Sequence, residues 1–279
     1  MTYKTDPVLR RLIAQHHPAA SAAGSFLPQA GLTGLTLKVS LAGQHWLARR
    51  EAPSVVPFVN RRREQRILQR LAPAGLGPRV YGYTAPWLLL EWLDGETLSA
   101  AALTARLPEL VALIGQLHHQ PLSGYRLHLL PLLETYWQLC RQRSVGWLRA
   151  LRTLRRQGEP RPLRLAPLHM DIHAGNVVDN QHRLQLIDWE YAADGDIALE
   201  LMALCLSNAL TDAQCTAVVH QYARDNQLAV EALRRQMTRW RPWLRVLIAS
   251  WYQLRAEQSG DMTMISYAAE AWRRVDLRD

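Results

Sequence analysis

The chain has 279 residues, 48% of them hydrophobic, enough apolar material for a sizeable core in one large domain or two lobes. No run reaches the roughly eighteen consecutive apolar residues of a membrane span, Met1 to His17 lacks the apolar stretch of a secretion signal, and Cys140, Cys205 and Cys215 form no CxxC pair; a soluble, cytoplasmic protein without a membrane partner is expected. The net charge of +9 invites nucleic acid, but the basic segments 141–164 and 234–245 are interleaved with Trp147, Leu151, Leu154, Trp240, Trp243 and Leu244 at helical spacing, which predicts solvated faces of packed helices and no nucleic-acid partner.

In chain order, the Gly31-Leu32-Thr33-Gly34 string lies between apolar flanks, where alone it would be an ordinary turn. Leu35 to Ser40 and His45 to Arg49 are strand-like runs joined by a short segment containing Gly43, the pattern of a hairpin. Asn60 is placed to cap a helix through Leu71, with Ile67, Leu68 and Leu71 on one face, and Gly77-Pro78 breaks the chain after it. Arg79 to Tyr83 and Trp87 to Leu90 are two further strands, followed by a connector at Leu93 to Glu96. Pro108 starts a helix to His118, and 130–154 holds one or two more.

Extended structure then returns once, with Leu168 to Ile172, Val177-Val178 and Leu184 to Ile187, the last two separated by turn residues 179–182. Helices resume at about Ile197. The plan is α+β, with a β-rich lobe over 1–92 and a larger, mainly helical lobe over 93–279 that carries one β-hairpin.

The segment LHMDIHAGNVVDNQHRLQLIDWE, residues 168–190, concentrates the chemistry. Asp171 and Asn176 flank a glycine-containing loop, and the following hairpin brings Asn176 and Asp188 together at its mouth. Phosphoryl transfer needs oxygen ligands for a divalent metal and a carboxylate on the attacking hydroxyl, and this segment supplies both. A competing reading takes the alternating His169, Asp171 and His173 as the metal ligands of a hydrolase. It leaves the pairing of Asn176 with Asp188 without a purpose.

HxDxxxxN followed twelve residues later by the Asp of IDWE resembles the catalytic core of the aminoglycoside phosphotransferase and choline kinase superfamily, distant relatives of protein kinases. The resemblance implies a bilobal protein-kinase-like fold, Asp171 as catalytic base, Asn176 and Asp188 as magnesium ligands, Mg2+ as cofactor and ATP as co-substrate. It further implies that Gly31, Thr33 and Gly34 cover the nucleotide, that Arg49 holds phosphates, and that backbone around Glu91 to Leu93 takes the adenine edge. Glu64 is then the candidate to orient Arg49, although Arg50, Arg61, Arg62 and Arg63 compete for it.

In PLLETYWQ, VGWLR, EPRPLRLAPLHMDIHAGNVV and LIDWEYAADGDIALEL the match narrows to the bacterial branch of the superfamily whose acceptor is thiamine. That substrate is a permanent cation bearing a primary alcohol. Glu190, Asp194 and Asp196 are candidates to offset its charge, and among ten tryptophans Trp137, Trp189, Trp243 and Trp251 are candidates to flank it, since an indole face attracts a cation. Each tryptophan is also an ordinary core residue, and Asp196 is equally placed to cap the helix from Ile197. Choline or aminoglycoside kinase remains the alternative within the superfamily.

Overall fold

The computed structural model describes residues 6–16, 25–29, 35–41, 43–52, 56–181 and 183–275. Its contacts divide the chain into two compact units, one formed from residues up to Tyr125 together with His169–Ala193, the other from Arg126–Leu168 and Asp194 onward. The 169–193 segment falls in the first unit, where it packs against residues 61–71 and 96–118.

The first unit opens with α1 (Pro7–Ala14), capped by Asp6, whose carboxylate accepts from the Val8 and Leu9 amides and from the Trp87 indole N–H. Strands β1 (Ser25–Gln29), β2 (Thr36–Leu41) and β3 (Gln44–Arg50) lead to α2 (Arg61–Leu71), β4 (Val80–Thr84) and β5 (Trp87–Glu91). The five strands form one antiparallel sheet in the order β1-β2-β3-β5-β4. Strand alternation sends Leu37, Val39, Trp46, Ala48, Trp87 and Leu89 to one face, where they bury Leu9, Leu12 and Ile13 of α1. The same alternation turns Arg49 to the opposite face of β3, away from Trp46 and Ala48.

Helix α2 is capped as its sequence demands, with the Asn60 side chain accepting from the Arg63 amide. It buries Ile67, Leu68 and Leu71 and packs on β4, β5 and the turn at Trp189–Tyr191. After β6 (Glu96–Thr97), α3 (Ala100–Ala105) and α4 (Leu107–His118), the chain enters the second unit.

That unit holds α5 (Leu129–Leu139), α6 (Val145–Gln157) and β7 (Leu165–Leu168) before the chain returns to the first with the hairpin β8 (Val177–Asp179) and β9 (Leu184–Leu186). It resumes at β10 (Ala193–Asp196), which pairs with β7, and continues with α7 (Ile197–Ser207), α8 (Asp212–Asp225), α9 (Val230–Ser259) and α10 (Met262–Arg273). Helix α7 is buried on all sides from Ile197 to Cys205, and α9 packs against α5, α6, α7, α8 and α10, with Leu233, Met237, Trp240, Trp243 and Leu244 inside. Among the described residues no helix is long and apolar enough to cross a membrane.

Candidate active site

The catalytic segment is less extended than its sequence suggests. The strand β7 ends at Leu168, and from His169 the chain turns away, with Met170 at a φ of 67°. His169 fixes this loop from inside. Its fully buried ring places Nε2 2.9 Å from the Ile187 carbonyl, and its Nδ1 accepts from the Asp171 amide at 3.3 Å. Both ring nitrogens are thus engaged by backbone. Among the described residues no cluster of three His, Cys, Asp or Glu side chains is arranged to hold a metal, so the His169, Asp171, His173 set does not assemble.

Asp171 and Asn176 do meet. Asn176 Nδ2 donates to Asp171 Oδ2 at 2.9 Å and to the Asp171 carbonyl at 3.0 Å, which closes the loop and leaves Asn176 Oδ1 as an acceptor. The hairpin β8–β9 pairs Val177 with Leu186, and the Ile187 amide donates to the Asn176 carbonyl at 3.0 Å, so Asn176 and Asp188 flank the hairpin mouth. Asp188 occupies the left-handed region, φ 66° and ψ 63°, where the chain leaves the strand sharply for the Trp189–Tyr191 turn. Trp189 anchors this turn by donating its indole N–H to the Leu186 carbonyl and setting its ring edge-on to His169. Gly77 makes room for it, since a Cβ there would come within 2.5 Å of the indole nitrogen.

Arg49 and Glu64 form the ion pair that the sequence left open, Nη1 to Oε1 at 2.7 Å, both buried. Four further contacts extend it. Arg49 Nη2 reaches Asp188 Oδ1 at 2.6 Å and Glu190 Oε2 at 2.8 Å, while Arg61 Nη1 bridges Glu64 Oε2 at 2.7 Å and Glu190 Oε2 at 2.8 Å. Arg63 adds a hydrogen bond to the Glu190 carbonyl and lays its guanidinium over the Phe58 ring. Burial alone would lower the affinity of Arg49 for its proton, but Glu64, Asp188 and Glu190 together raise it. Arg63 lacks a comparable set, and burial pushes it down to about 10.

The carboxylates diverge. Asp171 is pushed up to about 7 by burial and then by the negative charges of Asp188 and Glu190. Burial also acts to raise Asp188, but Arg49, by charge and hydrogen bond, outweighs it and holds the carboxylate below its ordinary range. Asp171 and Asp188 are thus shifted in opposite directions: burial and neighbouring negative charge prevail at Asp171, whereas direct contact with Arg49 prevails over burial at Asp188.

Of the other expected site residues, Gly31, Thr33 and Gly34 lie outside the described residues. Glu91 ends β5 with its carboxylate accepting from the Arg79 amide, and Leu93 makes no backbone hydrogen bond among the described residues. The Glu190 carboxylate is buried against Arg49 and Arg61. Asp194, Trp137, Trp243 and Trp251 belong to the second unit. There Asp194 is buried and accepts the Leu127 amide at its carbonyl, and Trp243 is buried edge-on to Trp240. Trp137 meets Trp147 and the Arg143 guanidinium, and Trp251 meets Tyr252 and the Arg255 guanidinium. Asp196 caps α7 and also accepts from Gln236 and Trp240, which agrees with its capping alternative. Arg61 is the residue the sequence did not single out. Within a run of three arginines only its α2 register, three residues before Glu64, distinguishes it.

Comparison with known proteins decides the family. The model for a phosphotransferase enzyme family matches residues 27–243, which span the sheet, the Asp171 loop and the hairpin. The chain belongs to that family. Thiamine kinase of Escherichia coli O17:K52:H18 is 42% identical over 98% of this chain and 96% of its own length, and thiamine kinase of strain K12 is 41% identical with the same coverage. Choline kinase LicA from Streptococcus pneumoniae has the same fold, with a TM-score of 0.78 over 96% of this chain and 97% of its own at 17% identity. This member of the phosphotransferase enzyme family is thus an ATP-dependent kinase with the protein-kinase-like fold.

Proposed function

We propose that the chain transfers the γ-phosphoryl group of ATP to the hydroxyethyl alcohol of thiamine, giving thiamine monophosphate and ADP. The observation that carries the chemistry is the Asp171–Asn176 pair at the mouth of the β8–β9 hairpin, next to Asp188. The acceptor rests on the near full-length similarity to thiamine kinases.

Asp171 is the base in this reading. Asn176 ties down its Oδ2, and Oδ1, with His173 Nε2 3.8 Å away, accepts the hydrogen of the attacking alcohol. A proton affinity raised to about 7 suits a group that must take a proton as the new O–P bond forms. Asn176 Oδ1 and the Asp188 carboxylate form an all-oxygen donor set, the chemistry a hard divalent cation such as Mg2+ prefers. Once bound, that cation would offset charge on the phosphates. Arg49, held by Glu64, grips phosphate oxygens, and the backbone at Glu91 to Leu93 receives the adenine edge. Opposite-charge positioning and orientation, rather than covalent catalysis by the protein, supply the acceleration.

The decisive experiment measures ADP release with thiamine, choline, kanamycin and pyridoxal side by side. Thiamine should dominate; preferential turnover of choline or kanamycin would overturn the acceptor. For the base, Asp171→Ala should reduce kcat by about 10²- to 10⁴-fold while calorimetric MgATP affinity stays near wild type. Near-normal turnover would remove Asp171 from that role.

A further inference from the structure

The three carboxylates on Arg49 are not equivalent. Glu64 and Glu190 are sealed in, with side chains only 1% and 2% exposed, whereas the Asp188 side chain is 36% exposed. The Nη2 group therefore has one fixed partner, Glu190, and one partner, Asp188, that solvent and ligands can reach. Arg61 fastens the fixed side, because its Nη1 touches Glu64 Oε2 and Glu190 Oε2 together and so joins both carboxylates into one frame.

Charge makes the consequence directional. In the direct ion pairs of the buried frame two arginines face two glutamates, so each guanidinium keeps a buried counter-ion without Asp188, while Arg63 reaches the Glu190 backbone carbonyl rather than either carboxylate. Asp188 can then leave Arg49 without stranding a buried cation, whose exposure to an unpaired state would be costly. With the Glu190 charge removed, one guanidinium charge would lack a buried counter-ion, and Asp188 would become its necessary partner.

We infer that Glu190 is a positioning residue that, with Arg61, keeps Arg49 neutralised and in place so that Asp188 is released to the metal-nucleotide complex. This deepens the phosphotransfer reading above and rests on it for the role of Asp188. It replaces the expected role of Glu190 as a partner for the substrate cation.

The test compares Glu190→Gln, which keeps an acceptor for both guanidinium groups and deletes only the charge, with Glu190→Asp. Calorimetry measures ATP affinity in Mg2+ and in EDTA, and thiamine affinity separately. Glu190→Gln should weaken ATP in Mg2+ by about tenfold, leave ATP in EDTA and thiamine within about twofold, and Glu190→Asp should fall between it and wild type. Unchanged affinity in Mg2+, equal losses with and without the metal, or a loss confined to thiamine would each overturn the proposal. Should Glu190→Gln fail to fold, the shortened carboxylate of Glu190→Asp must by itself show a Mg2+-selective loss of about threefold, and its absence is equally fatal. Nucleotide calorimetry needs no acceptor, so a chain that phosphorylated choline instead of thiamine would still report on Glu190.

Discussion

Two buried carboxylates, one in each compact unit, are kept by opposite means. Glu190 in the first unit faces two guanidinium groups, whereas Asp196 in the second is held by neutral donors: Trp240 Nε1 at 2.8 Å, Gln236 Nε2 at 2.6 Å and the Ala198 amide at 3.3 Å. The first arrangement balances full charges and is all or none, since deleting a member strands its partners. The second spreads one negative charge over several dipoles at a helix start, so that it degrades in steps. Charge that must be rearranged by a ligand is suited to the first; charge that only fixes an architecture is suited to the second.

Removal of Arg61 tests the all-or-none side most severely. Arg61→Met leaves Glu64, Glu190 and Asp188 to share the one guanidinium of Arg49, and urea unfolding should show a loss of about 3 to 5 kcal/mol. The matching change in the second unit, Trp240→Phe, removes one of the donors to Asp196 and should cost about 1 to 3 kcal/mol by the same measurement. Equal losses would abolish the distinction.

A pH series sharpens it further. The folded Asp171 holds its proton up to about 7 against an ordinary value of 3.8, so between these values the native state binds more protons than the unfolded chain. Stability from this group is therefore full below about pH 4 and is lost as pH rises through 7. In EDTA, Asp171→Asn should match wild type near pH 4 and exceed it by about 1 to 2 kcal/mol at pH 8, a figure reduced for the partial exposure of the side chain. A gap that opened toward low pH would reverse the assigned sign. The smallest effect is expected at Arg155, whose pair with Glu134 is exposed; Arg155→Ala should change stability by less than about 1 kcal/mol.

Local rules carried much of the molecule. The Gly43 turn, the Asn60 cap and the Ile67, Leu68, Leu71 stripe each state a local preference, and β2, β3 and α2 follow them. The helix starting at Ile197 and the hairpin after Asn176 were legible for the same reason. Leu168 to Ile172 misled because its apolar residues alternate like a strand, while buried His169 and the positive φ of Met170 turn the backbone. Strand β6 is too short to leave a pattern and exists by pairing with β8.

At the site, the spacing of Asp171, Asn176 and Asp188 was informative because one short segment carries all three. The Arg49–Glu64 pair was left open among rival arginines, and the structure resolves the rivalry by sharing: Arg61 binds the same glutamate through its other oxygen. The partners of Glu190 were not legible in its sequence neighbourhood, because they lie 129 and 141 residues earlier.

That long separation also has a bearing on how the protein is made. Arg49 and Arg61 leave the ribosome well over a hundred residues before the glutamate that completes their frame. At about 5 to 20 residues per second, the wait is on the order of ten seconds. Throughout it the nascent N-terminal segment carries two arginines with only Glu64 of their final carboxylate partners, and the unit as a whole is complete only when residues 169–193 have been added. A chain ending before residue 190 lacks the glutamate that pairs with both Arg49 and Arg61.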